Sequence, residues 1–140
     1  MPKRRLRLFP DTNLFIAAAK SGITKSTALI FKICFDDSIE LIGNSILLEE
    51  FEKYQDLVGR SGKILLEIIK SKIKIFDPDK EHLEACKPYF PENGFADLYH
   101  AATCLKAKAT IITNDKHFDK IKEKGLIDVW SISEAIERLL

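Results

Sequence analysis

No apolar run in this 140-residue chain is long enough to cross a membrane: the longest, Leu14 to Ala19, is far short of the roughly 20 residues a span needs. The basic start, with Lys3, Arg4, Arg5 and Arg7, lacks the apolar core of a signal peptide, so the expected location is cytoplasmic. Cysteine is scarce and unpaired. Cys34, Cys86 and Cys104 are odd in number, widely spaced and form no C-x-x-C, which argues against a disulfide framework or a zinc knuckle and for buried thiols. Net charge is nearly absent as well, 22 basic residues against 21 acidic ones, so global charge selects no class of partner. There is no linker, repeat or low-complexity segment. With 46% apolar and 31% charged residues, the expectation is one globular domain over residues 1–140.

What the chain does have is alternation between strand-like and helix-like text. Leu6 to Phe9 reads as a strand, stopped by Pro10-Asp11-Thr12-Asn13 before a helix from Thr12 to Lys20 that Ser21-Gly22 ends. A second helix runs from Thr24 to Phe35 and is closed by Asp36-Asp37, and Ile39 to Ile42 is a strand. Asn44-Ser45 supply N-cap residues for a helix carrying Ile46, Leu47, Phe51, Tyr54 and Val58. Gly59 and Gly62 are expected to bracket a turn before helical Ile64 to Ile69, and Ile73 to Phe76 is a strand. Asp77-Pro78 reads as a helix start, capping Asp and first-turn Pro, with a loop from Pro88 to Gly94 beyond that helix. Then come a helix from about Phe95 to Lys106, a β-branched strand from Ala109 to Thr113, a helix from Lys116 to Lys124 stopped by Gly125, and a strand from Leu126 to Trp130. Ser131 and Glu134 form a capping box for the last helix. Strands separated by helices mean a mostly parallel sheet with helices on both faces.

That order gives four acids a common destination. Asp11 and Asp115 each end a strand, and in open parallel sheets the ligand crevice lies outside the carboxyl ends of the strands. Helix phase chooses between two neighbours: at 100° per residue, Glu50 falls inside the stripe of Ile46, Leu47, Phe51 and Tyr54, while Glu49 points nearly opposite its centre. Asp97 sits near the start of its helix beside Phe95 and Leu98. Each acid taken singly is also explained as a helix cap or first-turn carboxylate. Together they suit a hard divalent cation, which takes oxygen ligands, acidifies water and offsets charge on a phosphodiester. Lysines 106, 108, 116, 120, 122 and 124 around Asp115 add a basic rim that would suit a polyanionic substrate. His100 and Cys104 share a helix face with Asp97, but no second pair completes a zinc site, and His82 and His117 read as surface residues.

In this arrangement the chain resembles the PIN-domain family of metal-dependent ribonucleases. The resemblance is carried by Asp11-Thr12-Asn13, by Glu50-Phe51, by Asp97-Leu98-Tyr99-His100-Ala101-Ala102 and by Ile112-Thr113-Asn114-Asp115-Lys116-His117-Phe118, and spans about residue 6 to residue 130. It implies a three-layer α/β/α sandwich around a mostly parallel sheet and an Mg²⁺ or Mn²⁺ site of Asp11, Glu50, Asp97 and Asp115, supported by Asn13, Thr113 and Asn114. Some members carry another acid two residues after the last metal Asp; here that position is His117, with Asp119 two further on. Many small members resemble toxin halves of toxin–antitoxin pairs, which implies an antitoxin protein filling the acidic groove, and homodimers are frequent in the family.

Three functions compete. The first is an endoribonuclease cutting single-stranded RNA. The second is a catalytically silent PIN-like module that binds RNA or protein; the presence of all four acids counts against it. The third, an Asp-based phosphotransfer domain, needs further acids beside the first strand, and Asp11 is followed by Thr12-Asn13-Leu14 instead.

Overall fold

The structure, a computed structural model, describes residues 5–20, 24–56 and 58–140; Lys3, Arg4 and the Ser21-Gly22 helix stop lie outside the described residues. Five strands, β1 (Leu6–Pro10), β2 (Ile39–Gly43), β3 (Lys74–Ile75), β4 (Thr110–Ile112) and β5 (Val129–Trp130), form one sheet in the order β3-β2-β1-β4-β5. Every pairing is parallel, with Leu8 of β1 opposite Leu41 on one side and Thr110 on the other. Being central, β1 and β4 read as continuous apolar text: Leu8, Phe9, Ile111 and Ile112 are fully buried. β1 runs one residue farther than expected, through Pro10, where a missing N–H costs little because the strand is ending.

The helices are α1 (Thr12–Lys20), α2 (Lys25–Phe35), α3 (Ser45–Gln55), α4 (Gly59–Lys72), α5 (Lys80–Cys86), α6 (Phe95–Ala107), α7 (Asp119–Lys124) and α8 (Ile132–Leu139), with short 3-10 turns at Lys87–Tyr89 and Lys116–Phe118. They cover the sheet in a three-layer α/β/α sandwich. From β1 the chain steps outward to β2 and β3, then returns across the sheet to β4 and steps the other way to β5. With right-handed crossovers those two excursions lie on opposite faces, and the crevice opens where they diverge, between β1 and β4. Asp11 follows the first of these strands directly, and Asp115 stands three residues beyond the second.

Local departures from expectation have local causes. Gly59 and Gly62 do not bracket a turn: Gly59, at φ 70°, begins α4, and Gly62 is a buried helical residue. A Cβ on Gly62 would meet Val58 Cγ2 at 2.0 Å and the Gln55 carbonyl at 3.2 Å, so glycine is needed there for close approach of chain, not for turning. Asp77-Pro78 does not open α5. Asp79 is its N-cap, its N–H donates to His82 Nδ1, and His82 is therefore half-buried rather than a plain surface residue. Gly125, at φ 74°, ends α7 as expected, and Cys34, Cys86 and Cys104 are all buried thiols. Among the described residues no single helix is long and apolar enough to cross a membrane.

Candidate metal centre

The strand ends are stitched together first by backbone. Asp11 N–H donates to the Ile112 carbonyl at 3.0 Å, and Thr113 N–H to the Trp130 carbonyl at 2.9 Å, so β1, β4 and β5 reach the crevice in register. Thr113, 3% exposed, then serves as a hub. Its hydroxyl donates to Asp11 Oδ2 at 2.7 Å and accepts from Asp115 N–H at 3.0 Å and from Asn13 Nδ2 at 3.3 Å. Asp11 Oδ1 accepts the Thr12 N–H at 2.8 Å. Burial, helped by the nearby Asp97 charge, nevertheless raises the Asp11 carboxyl above its ordinary range, against the pull of those hydrogen bonds.

A second group forms where α6 starts beside the turn after β4. Asp97 Oδ2 and Asp115 Oδ1 lie 2.9 and 3.2 Å from His117 Nδ1, and one ligand atom from each of the three falls within 4.8 Å of the others. Asp115 also acts as a cap, its Oδ1 accepting the His117 N–H at 2.9 Å, so capping and convergence are compatible here. Desolvation raises the Asp97 carboxyl, and the Asp115 charge adds to that, although the His117 hydrogen bond opposes it. His117 itself is raised, first by that hydrogen bond and then by the two carboxylate charges.

Glu50 is held differently. Its Oε1 accepts from His100 Nε2 at 2.6 Å and its Oε2 from the Thr12 hydroxyl at 2.9 Å, so both oxygens already have partners, while Glu49 faces solvent. Burial pushes the Glu50 carboxyl up, but the hydrogen bonds from His100 and Thr12 outweigh it and the net direction is down. His100 is 1% exposed and stacks near Phe9 at 5.1 Å between centroids. Asn44 determines the proton positions on that ring. Its Oδ1 accepts the Leu47 N–H at 2.7 Å, so its amide nitrogen faces His100 Nδ1 at 3.1 Å and Thr103 Oγ1 at 2.9 Å. Nδ1 then accepts, and the ring proton sits on Nε2, toward Glu50.

The four acids thus form a continuous polar network of two kinds of member: Asp97 and Asp115 at mutual ligand distance, Asp11 joined to Asp115 through Thr113, and Glu50 joined to Asp11 through Thr12. Of the supporting residues, Asn13 and Thr113 belong to the network. Asn114 turns away, its Oδ1 accepting the Ile132 N–H of α8, and Asp119 is exposed at the start of α7. Two participants escaped the sequence reading, His100 and His117. A His three residues after Asp97 in an otherwise apolar Ala101-Ala102 stretch, and another two residues after Asp115, were the available signals. Cys104, fully buried, is not part of the ligand group.

The donor set fits a hard divalent cation. Oxygen atoms predominate, burial raises the Asp11 and Asp97 carboxyls, with the Asp97 charge adding to the first and the Asp115 charge to the second, and among the described residues the buried Oδ1 of Asn13 has no hydrogen-bond partner. The PIN domain family profile matches residues 8–124. Among solved structures the chain is similar to VapBC2 from Rickettsia felis, crystallised bound to a DNA fragment from their promoter, with 16% identity, a TM-score of 0.66, and 90% of this chain and 98% of that chain covered. It is also similar to FitAB bound to the IR36 DNA fragment, with 19% identity, a TM-score of 0.58, and 89% and 94% covered. No curated protein matches the chain.

Proposed function

The chain belongs to the PIN-domain family, and from that premise we propose that it is an Mg²⁺- or Mn²⁺-dependent endoribonuclease acting on single-stranded RNA. The observation that carries this reading is the meeting of Asp97 and Asp115 at ligand distance in the crevice where Asp11 shares the Thr113 hydroxyl. A bound divalent ion would supply charge neutralisation at the scissile phosphate and acidify water. Asp97, Asp115 and Asp11 would hold it. Glu50, clamped by His100 and Thr12, would fix the negative wall on the far side of Asp11 and accept a proton from the attacking water. Lys116, Lys120, Tyr89 and Phe90 line a cavity of about 360 Å³ beside His117, and both lysines are exposed. Basic and aromatic side chains together suit a single strand, whose phosphates need cations and whose bases need flat partners.

Attack by water with departure of the 3′-oxygen leaves 5′-phosphate and 3′-hydroxyl ends. The test is end-group analysis on a panel of structured and unstructured RNAs, with Mg²⁺, Mn²⁺ or chelator. A 2′,3′-cyclic phosphate, or cleavage undiminished by chelator, would overturn the reading. RNA binding without cleavage under any metal would point to the silent module instead.

We also propose a protein partner of the antitoxin kind. Phe31, Phe35 and Ile64 are exposed on α2 and α4, Phe35 by 69%, and Phe31 and Ile64 border an apolar cleft of about 270 Å³ between α1, α2 and α4. Solvent-facing phenylalanines in a row are a feature of surfaces that are covered in use. Phe35→Asp should leave cleavage unchanged and weaken inhibition by a co-purified partner; inhibition equal to wild type would place the contact elsewhere.

A further inference from the structure

His117 stands at the surface, in the short turn after β4. Its side chain is 61% exposed, and the contacts that hold its ring are the two carboxylates, Asp97 at 2.9 Å and Asp115 at 3.2 Å from Nδ1. Atoms bound at adjacent corners of an octahedral cation with bonds of about 2.1 Å lie roughly 3 Å apart, so these spacings are those of coordinating neighbours as well as of hydrogen bonds. The three donors come from separate pieces of the fold. Asp97 is set by the first turn of α6, Asp115 by the end of β4 through Thr113, and the 3-10 turn from Lys116 to Phe118 swings His117 back over Asp115, whose Oδ1 accepts its N–H. One imidazole cannot balance this group: Asp97, Asp115 and, across Thr113, Asp11 bring three carboxylates to one place. The same network holds the buried Asn13 Oδ1, an acceptor with no donor among the described residues, as a ligand-bound water would require.

From this geometry we infer that His117 is a metal ligand through Nδ1, completing with Asp97 and Asp115 a mixed nitrogen–oxygen site that selects Mn²⁺ over Mg²⁺. An imidazole nitrogen suits first-row transition ions, whereas Mg²⁺ takes carboxylate and water oxygen. The inference rests on the metal-centre reading above and adds the identity of the metal to it. Replacing the nitrogen donor by a carboxylate should reverse the preference, because an all-oxygen site is what Mg²⁺ binds.

The test uses the full chain with Mn²⁺ alone, without RNA. Pulsed electron paramagnetic resonance of the Mn²⁺ complex should show coupling to a directly bound imidazole nitrogen, and His117→Ala should lose it. By titration calorimetry, His117→Ala should weaken Mn²⁺ at least about tenfold with a smaller effect on Mg²⁺, while His117→Asp should bind Mg²⁺ more tightly than wild type does. Coupling that persists in His117→Ala, or Mn²⁺ binding in wild type without nitrogen coupling, overturns the assignment. So does tighter Mn²⁺ binding by His117→Ala, which would make the imidazole a cation the metal must displace. Nitrogen coupling in a protein that cuts no RNA would sink the nuclease reading and leave this one standing; RNA cleavage without the coupling does the reverse.

Discussion

Two histidines touch the carboxylate network and are held in opposite ways. His100 is 1% exposed, its ring boxed in by Asn44, Glu50 and Phe9; the His117 side chain is 61% exposed and rests on Asp97 and Asp115. In the closed half, around His100, Asn44 and Thr103 are both 0% exposed, and only Glu50 keeps part of its side chain, 28%, open to solvent. Such a network must be satisfied for the chain to fold, since each unmet donor or acceptor costs about 1–3 kcal/mol. The open half, around His117, has no such constraint. Burial makes the Asp97 charge costly, and both Asp97 and Asp115 keep part of their side-chain surface open to solvent. The closed half therefore maintains geometry, and the open half is where a ligand can gain binding energy. Substitutions on one side should therefore cost stability and on the other activity.

The largest effect should be Asp97→Asn, in the open half. The change keeps shape and removes charge, and cleavage should fall by at least about 10², roughly 3 kcal/mol of transition-state stabilisation. Stability should move the other way in metal-free protein. The folded Asp97 carboxyl is raised, so its ionisation opposes folding as pH rises through that value, and at neutral pH the neutral amide escapes the cost. Thermal unfolding in chelator should show a melting temperature equal to or above wild type, and added Mn²⁺ should stabilise wild type more than the variant. A lowered melting temperature would place Asp97 in the frame and erase the division.

Asn44→Ala, in the closed half, should cost about 2 kcal/mol in urea denaturation: the cap of α3 is lost, and His100 Nδ1 and the Thr103 hydroxyl are left unpaired in a dry interior. A cost under about 0.5 kcal/mol would mean that water enters the network and that its burial is not what fixes Glu50.

These halves also differ in how far they could be read from sequence. Asp11 and Asp115 were legible because strand pattern and parallel topology alone send strand ends to one crevice. Glu50 was separable from Glu49 by helical phase, and the structure has Glu49 in solvent and Glu50 bonded to His100. What escaped was every pairing that depends on how helices meet. His100 and Glu50 are 50 residues apart and Asp97 and His117 are 20 apart, and no local pattern announces either contact. Asp77 and Asp79 were confused for a related reason. Both sit beside Pro78 where a cap is plausible, and the choice fell to tertiary context, because Asp77 is drawn to Ser45 and Tyr99. Gly62 looked like a turn residue because composition cannot distinguish a glycine that bends the chain from one that lets two segments touch.

The helix-phase distinction has a smaller and sharper consequence. Glu50→Gln should lower cleavage about tenfold and weaken Mn²⁺ binding, since an amide cannot accept from both His100 and Thr12 without turning its NH₂ toward one of them. Glu49→Gln should change neither. Equal losses in the two variants would show that α3 presents another face to the crevice than its burial indicates.

The smallest effect lies on the outer edge of the closed half, where Asp77 clamps the same helix pair as Asn44 but from the solvent side. Its carboxylate accepts the Ser45 N–H at 3.0 Å, the Ser45 hydroxyl at 2.7 Å and the Tyr99 hydroxyl at 3.0 Å, joining the start of α3 to α6. Burial pushes its pKa up, but the Ser45 and Tyr99 hydrogen bonds prevail, and the net shift is below the ordinary 3.8. A depressed folded value means that the ionised carboxylate stabilises the fold at pH values above 3.8, and that this contribution disappears as pH falls through the folded value. Asp77→Asn should therefore cost roughly 0.5 kcal/mol at pH 7, because an exposed charged hydrogen bond is screened by water, and the gap from wild type should narrow as pH falls below 3.8. Urea denaturation of both proteins at pH 7 and pH 3 measures it. A gap at pH 3 as wide as at pH 7 would assign the loss to shape rather than charge, and a gap at pH 7 as large as that of Asn44→Ala would mean that burial is not what sets the cost of breaking the α3–α6 junction.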